Sequence, residues 1–352
     1  MLASQIETPA LILDLEIFER NIQKMQAFAN EGGLGLRPHY KSHKSTVIAH
    51  KQIEAGAKGL CCAKVSEAAD LVNAGIEDIL IANEVVDLSK ITHVADLANK
   101  CRLTICVDSI QNITDLSAAA QLFSSTIYCL VEYNIGMDRC GVNSFEEVFH
   151  LAKHIDESPN LVFEGIQAYA GHMAHEKDFS ERKKYSEEID AHLHELKNFI
   201  ESNGLRVKEI SGASTGTSFL RSEGTVYTEI QPGSYIFMDA SYNTLHLEFE
   251  NSLFLLTTVL SKNGERSICD LGAKCVGLDQ EKPLLRDFPS RALKCNEEHC
   301  TIMDGKEFNV GDKLYMIPGH CCTTVNLHDS IYFVRKGKVV DRIPVTSRGK
   351  SM

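Results

Sequence analysis

Nowhere in the 352 residues is there an apolar run long enough to cross a bilayer. Met1–Thr8 lacks a basic segment followed by an apolar stretch, so no secretory leader is read there and a cytoplasmic location is expected. Basic charge is short as well: 36 Lys and Arg stand against 48 Asp and Glu, a formal net charge of −12. That balance disfavours nucleic acid and anionic membranes as partners, and any anionic ligand needs a locally positive pocket. Disulfide signatures are missing. The 12 cysteines include the adjacent pairs Cys61–Cys62 and Cys321–Cys322 but no Cys-x-x-Cys. They are expected to be thiols, most of them small buried hydrophobes. There is no low-complexity segment, no long linker and no Gly-rich first turn of a dinucleotide-binding sheet. The length suits one large domain plus a smaller one.

What is present is alternation. β-rich runs fall at Gly35–His39, Leu60–Lys64, Asp78–Ala82, Leu103–Asp108, Thr126–Asn134, Val162–Ala170, Lys208–Ser211 and Thr228–Gln231. Helical stretches such as Val65–Ala74, Leu88–Asn99, Phe145–His154 and Ser180–Ser202 lie between them. About eight strand–helix units is the number that closes an α/β barrel of the (β/α)8 type; an open doubly wound sheet is the competing fold. After about His246 the helical period fades. Leu253–Ser261, Lys313–Ile317 and Ser330–Val334 read as strands, with turns at Asn263-Gly264, Asp304-Gly305 and Lys336-Gly337. The expected division is a barrel over residues 1–245 and an all-β domain over 246–352, with Ala10–Leu13 a candidate to join the β domain.

Six segments carry chemistry. Arg37-Pro38-His39-Tyr40-Lys41-Ser42-His43-Lys44 follows the first barrel strand, and barrel enzymes place catalytic groups at the C-terminal ends of strands. A lysine among other cations there gives up its proton more readily and attacks an aldehyde; a solvated basic turn has similar weight on chemistry alone. Ser211-Gly212-Ala213-Ser214-Thr215-Gly216-Thr217 follows strand seven, and Ile230-Gln231-Pro232-Gly233-Ser234 follows strand eight. Each alone reads as a tight turn. Together, at the usual phosphate-binding loops of a barrel, they point to a phosphate-bearing cofactor.

The loop from Glu132 to Val142 presents Arg139 after strand five, where a surface pair with Asp138 is the plainer reading. Tyr169-Ala170-Gly171-His172-Met173-Ala174-His175 follows strand six; Tyr169 suits stacking on a ring, and His172 suits proton transfer or plain solvation. In Pro318-Gly319-His320-Cys321-Cys322, an extended chain puts His320 and Cys322 on one side, as two zinc-type ligands with coordination positions left open. A buried histidine among core cysteines is the structural alternative.

Those residues resemble the D-threonine aldolase and D-serine dehydratase group, relatives of alanine racemase among pyridoxal-phosphate enzymes. The similarity runs from Thr8-Pro9-Ala10-Leu11-Ile12-Leu13-Asp14 to Pro344-Val345-Thr346-Ser347-Arg348-Gly349-Lys350. The Arg-Pro-His-x-Lys and Pro-x-His-x-Cys elements are specific to the group, whereas the glycine loops are not. The resemblance implies a barrel plus β domain and a homodimer. It implies pyridoxal 5'-phosphate on Lys41 rather than Lys44, with Arg139 at the ring nitrogen and Tyr169 beside the ring. Thr215, Gly216, Thr217, Gly233 and Ser234 are implied around the phosphate. His320 and Cys322 are implied as ligands of a divalent metal, zinc rather than manganese or magnesium given the thiolate.

Two outcomes on a D-β-hydroxy amino acid follow from this set. Loss of the hydroxyl proton breaks Cα–Cβ and yields glycine plus an aldehyde; loss of the α-proton expels hydroxide and yields a keto acid plus ammonia. His172 stands where the aldolase branch has its base, and on that ground aldolase cleavage is the expected reaction. The His-x-Cys pair is more like the dehydratase branch, and Asn134 departs from the Asp common in the group. A racemase would need a tyrosine that is not identifiable, and a non-catalytic cofactor-binding protein would resemble a lone barrel.

Overall fold

The computed structural model describes residues 1–221 and 224–352. The chain divides into two compact units. One comprises Met1–Met25, Ser42–Ile48 and Ser234–Gly349; the other comprises Gln26–Lys41, Ala49–Gly233 and Lys350–Met352.

The second unit is a parallel eight-stranded barrel. Its strands are β1 (Gly35–Leu36), β2 (Leu60–Cys62), β3 (Asp78–Ile81), β4 (Arg102–Val107), β5 (Ile127–Glu132), β6 (Leu161–Ala168), β7 (Glu209–Gly212) and β8 (Glu229–Ile230). All eight fall on the runs read from sequence. From β2 to β8 each pairs with the next in chain order, β8 returns to β1, and an isolated parallel bridge from His39, just after β1, to Cys61 of β2 closes the gap. Burial of both strand faces explains why the runs are continuously apolar rather than alternating. Cys61, Leu80, Cys106 and Leu130, one each from β2 to β5, form a buried interior cluster in which the two cysteines act as small hydrophobes.

Helices follow the strands where the sequence caps them. Asp87 accepts from the Ser89 and Lys90 amides, Ser144 and Glu147 form a reciprocal capping box, and Asp178 opens the long helix Phe179–Ser202. Gly165 in β6 sits at φ +154°, where a side chain would meet the Glu209 carbonyl, so glycine is required for β6 to pair with β7.

The N-terminal end of the barrel is a floor of charge. Asp78, Arg102, Glu209 and Glu229 are the first residues of β3, β4, β7 and β8. Arg37 Nε donates to Glu229 Oε1 at 2.9 Å, fully buried, and Arg37 Nη1 to Asp78 Oδ1 at 2.8 Å, partly buried. Lys58 bridges Glu209 at 2.5 Å and Glu229 at 3.0 Å, and Arg102 holds Glu164 at 2.8 Å. The group's Arg-Pro-His-x-Lys element is thus split: its arginine belongs to this floor.

The first unit is built on a sheet. Ala10–Asp14 runs antiparallel to Leu253–Asn263, with Leu11 opposite Leu255, and parallel to Ser330–Arg335, with Leu11 opposite Ile331. Lys313–Ile317 flanks Leu253–Asn263, Lys338–Pro344 flanks Ser330–Arg335, and Arg266–Cys269, Cys300–Ile302 and Leu293–Cys295 extend the path. Ala3, Ile6, Ala10, Ile12, Phe254, Leu256, Ile317 and Val334 make one core of this unit. No helix among the described residues is long and apolar enough to cross a membrane.

Burial would raise the Glu229 carboxyl, but Arg37 and Lys58 outweigh it and hold the group down at about 2, from an ordinary 4.5. A depressed carboxylate contributes stability that is complete above 4.5 and disappears as pH falls towards 2. Arg37→Met leaves two carboxylates without their shared partner, so it should lower unfolding free energy at neutral pH by roughly 3–5 kcal/mol. It should also flatten the loss of stability between pH 4.5 and 2. Denaturant midpoints across pH check both; a variant with the wild-type midpoint would show that the floor contributes nothing.

Candidate active site

Opposite the floor, at the C-terminal ends of the barrel strands, lies a cavity of about 190 Å3. His39, Lys41, Ala63, Ala82, Asn83, Arg139, Cys140, Gln167, Tyr169 and Gln231 line it. The structure therefore brings together three of the residues singled out from sequence: Lys41, Arg139 and Tyr169. Lys41 Nζ lies 5.8 Å from the centre of the Tyr169 ring, and the Arg139 guanidinium carbon lies 5.7 Å from it. Lys41 is in a short 3-10 turn, Tyr40–Ser42, and its amide donates to His39 Nδ1 at 3.4 Å. Gly171 keeps space beside the aromatic ring: a side chain there would run into Tyr169 and Met137.

Arg139 does not pair with Asp138. Its guanidinium lies 3.8 Å from Glu132, the last residue of β5, and is half-exposed. Asn134 accounts for this. Its amide donates to Asp138 at 2.9 Å and to Asn143 at 2.8 Å, while its carbonyl accepts from the Gly136 and Asp138 amides at 3.1 and 3.0 Å. A carboxylate at 134 could accept but not donate, so the asparagine is what ties up Asp138 and frees Arg139. Burial and the neighbouring Glu84 push the Glu132 carboxyl up to about 8, against the pull of Arg139.

His172 is not among the cavity-lining residues. It sits in the 3-10 turn Gly171–His175, exposed, with Nε2 2.8 Å from the Tyr185 hydroxyl. That hydroxyl donates to the Ile135 carbonyl at 2.8 Å. Its single proton being spent, its oxygen accepts from His172 Nε2, which leaves Nδ1 as the basic atom. Burial moves the imidazole below its ordinary range, against the raising effect of Asp138, so the ring is neutral at pH 7.

Thr215, Gly216 and Thr217 follow β7 and are buried. The turn is held by Ser214, whose amide donates to Thr217 Oγ1 at 2.9 Å and whose carbonyl accepts from the Ser218 amide at 2.8 Å. Gly233 follows β8, and Ser234 opens the 3-10 turn Ser234–Ile236.

The His-x-Cys segment departs from the expected geometry. It is not extended: His320 is the N-cap of a helical turn, Cys321–Val325. The turn is stabilised by Asp239, which accepts from the Cys321 amide at 2.8 Å, and by Thr324, whose hydroxyl donates to the His320 carbonyl at 2.7 Å. His320 and Cys322 are still neighbours, because a residue entering a helix and one in its first turn lie close. His320 Nδ1 is 2.6 Å from Asp279 Oδ2, and its imidazole is hydrogen-bonded to the Cys322 thiol. Burial disfavours the imidazolium, but Cys322 and Asp279 outweigh it and raise the group to about 9. The Cys322 thiol is held well below its ordinary value by hydrogen bonding with Cys321, His320 and Ser42, against its burial. Ser42 Oγ lies 3.3 Å and Ser234 Oγ 3.6 Å from its sulfur. Cys321 is fully buried, and burial drives its thiol well up. Among the described residues, no group of three or more His, Cys, Asp and Glu side chains is placed to hold a metal.

Two polar lining residues were not picked out in the sequence. Asn83 and Gln167 lie at the ends of β3 and β6, a position that could have drawn attention; His39 and Gln231 fall within segments already singled out. Gln167 and Gln231 exchange amide hydrogen bonds, the shorter 2.8 Å, and Gln231 donates to Ser211 at 2.7 Å. Asp279 had no signal, since it lies 41 residues from His320 in an irregular segment.

Comparison with known proteins agrees with this layout. The alanine racemase N-terminal domain profile matches residues 13–241, and a putative serine dehydratase domain profile matches residues 252–334. A 3-hydroxy-D-aspartate aldolase of Paracoccus denitrificans (strain Pd 1222) is 41% identical over 99% of this chain and 93% of its own length. A D-threonine aldolase of an Arthrobacter species is 37% identical over 99% of this chain and 94% of its own. The crystal structure of D-threonine aldolase from Filomicrobium marinum superposes with a TM-score of 0.97 at 38% identity, covering 100% of this chain and 99% of that one. The chain belongs to the alanine racemase N-terminal-domain family, within the group that holds the D-threonine and 3-hydroxy-D-aspartate aldolases.

Proposed function

We propose that this protein is a pyridoxal-phosphate- and divalent-metal-dependent aldolase that cleaves a D-configured β-hydroxy amino acid to glycine and an aldehyde. The observation that carries the reading is the shared cavity of Lys41, Arg139 and Tyr169 at the catalytic end of a barrel, in a chain whose relatives are aldolases.

The residues fit the cofactor. A primary amine, a guanidinium and an aromatic ring face one small cavity, and the Ser214-organised turn after β7 offers buried hydroxyls and amides at a barrel's usual phosphate position. Pyridoxal phosphate, when bound, supplies an aldehyde that takes an amine and a ring that withdraws electrons from the bonds at the substrate's Cα. Lys41 would hold it. Thr215, Gly216, Thr217, Gly233 and Ser234 would hold its phosphate, and Tyr169 would flank the ring. Arg139 has only donors, so it would hydrogen-bond the ring nitrogen without protonating it. That limits the ring as an electron sink and puts more of the work on removing the hydroxyl proton.

His320 and Cys322 fit a metal by their chemistry. Cys322 is poised as a thiolate, and Asp279 fixes the Nδ1 side of His320 and leaves Nε2 as the donor atom. A soft sulfur and an imidazole nitrogen select zinc over manganese or magnesium. A divalent ion there would act as a Lewis acid on a hydroxyl oxygen. His172, neutral at pH 7 with Nδ1 open, would take the hydroxyl proton. The neighbouring Cys321 is engaged in the core and takes no part.

Product analysis tests the reaction. With D-threonine and with 3-hydroxy-D-aspartate, glycine and an aldehyde should accumulate in equal amounts and ammonia should not. Ammonia with a keto acid would make the enzyme a dehydratase, the second reading that the His-x-Cys pair supports. His172→Asn should lower kcat by roughly 10²–10⁴-fold with little change in cofactor content; the same loss in His175→Asn, with His172→Asn active, would move the proton transfer to His175.

Metal dependence is separable from cofactor binding. Chelation should abolish cleavage while bound pyridoxal phosphate and its absorbance remain. Cys322→Ala should behave like the chelated enzyme, and Cys321→Ala should bind metal and turn over. Full activity in metal-free enzyme would return His320 and Cys322 to a structural role.

A further inference from the structure

A second thiol pair lies at the end of the first unit's sheet. Leu293–Cys295 and Cys300–Ile302 form an antiparallel hairpin in which Cys295 is directly opposite Cys300. Their sulfur atoms are 3.2 Å apart. We propose that Cys295 and Cys300 are a reversible dithiol, which closes to a cross-strand disulfide by exchange with a low-molecular-weight disulfide.

The ladder permits this pairing, and the sulfur contact selects it over others. Residues facing each other in an antiparallel pair alternate between hydrogen-bonded and non-hydrogen-bonded positions, and the latter bring Cα atoms to about 4.5 Å. The Asn296 amide donates to the His299 carbonyl at 2.7 Å, and the Met303 amide donates to the Ala292 carbonyl at 3.0 Å. Both bonds fall on even positions of the first strand, so Cys295 and Cys300 occupy a non-hydrogen-bonded position. That separation lies within the range a disulfide spans.

Cys269 is also opposite Cys300, on its other side. A strand residue points its amide and carbonyl the same way, so Cys300 directs both towards Cys269. That makes it the wider kind of pair, at about 5.5 Å, also within a disulfide's span, but the Cys300 sulfur is in contact with that of Cys295. Cys275 is turned to its own loop, with its sulfur 3.2 Å from the Gly272 carbonyl. The hairpin end is braced as well: the Ala273 and Lys274 amides donate to the Asn296 and Glu297 carbonyls at 2.8 and 3.1 Å.

The two sulfurs differ in the way an exchange reaction needs. Cys295 is partly exposed and Cys300 fully buried. The more solvated sulfur is the more readily ionised one: hydrogen bonding with Cys300, aided by Lys282, draws the Cys295 thiol down against its burial. The Cys300 thiol is pushed up, first by that same bond and then by burial. The Cys295 thiolate attacks one sulfur of the small disulfide, whose S–S bond breaks and whose other half leaves as a thiolate. Cys300 then attacks the Cys295 sulfur, and the second half leaves in turn. The protein dithiol loses two electrons and two protons, and the small disulfide gains them as two thiols.

Oxidised glutathione is the probe. Native protein treated with it should fall from 12 titratable thiols in the unfolded state to 10. Glutamyl cleavage at Glu297 and Glu298 should then give two peptides joined through Cys295 and Cys300, separable by reductant. Cys300→Ser should trap one glutathione on Cys295, whereas Cys295→Ser should leave Cys300 unmodified; far-ultraviolet circular dichroism confirms that both are folded. A linkage through Cys269 or between Cys321 and Cys322 would overturn the proposal. So would a Cys295 that stays free in folded, treated protein, or a Cys300→Ser variant that takes up no glutathione there.

Discussion

The buried pairing of Arg37 with Glu229 and Asp78 is the constraint on which the barrel unit depends. β1 is only two residues long and makes a correspondingly short ladder to β8. Backbone bonds continue its pairing on both sides, from the Arg37 and His39 amides to Ile230 and Pro232 and from the Lys58 and Cys61 amides to Leu36 and Pro38, and a side-chain clamp fixes the same register. Arg37 follows it directly and clamps Glu229 of β8 on one side and Asp78 of β3 on the other. Four residues later comes Lys41. An error of register at β1 would move the amine out of the cavity that Arg139 and Tyr169 share, so the charged floor at one end positions Lys41 at the other. A buried ion network is a weak source of net stability against an apolar replacement; here its value is in placing the strand.

That division of labour separates what was legible in the sequence from what was not. The eight barrel strands were legible because both faces are covered, which writes each as a short continuous apolar run. Lys41, Arg139 and Tyr169 were legible because they follow strands one, five and six, and the ends of barrel strands converge. Arg37 was read with its neighbours as part of a basic loop. Sequence proximity does not show that a side chain turns back into the floor while the chain runs on to the cavity.

Other features depended on tertiary partners. The segment at His320 looked extended, but Asp239, 82 residues from Cys321, caps it into a helical turn. Asp279 reaches His320 through an irregular connection without periodicity. Gln167 and Gln231 satisfy each other across the barrel, a pairing that neither neighbourhood announces. Asn134 looked like a departure from an expected aspartate, yet its two donated bonds organise the Arg139 loop. His172 remains apart from the Lys41 cavity and is held by Tyr185, so its proposed role rests on the resemblance and on its open Nδ1, not on its being a cavity-lining residue.

Lys41 as the anchor of pyridoxal phosphate is the claim on which the functional account turns. Borohydride reduction of the cofactor-loaded protein, followed by peptide mapping, tests it directly. The account predicts one pyridoxyl group per chain, on Lys41. A label on Lys44, or no covalent label on protein saturated with the cofactor, would contradict it.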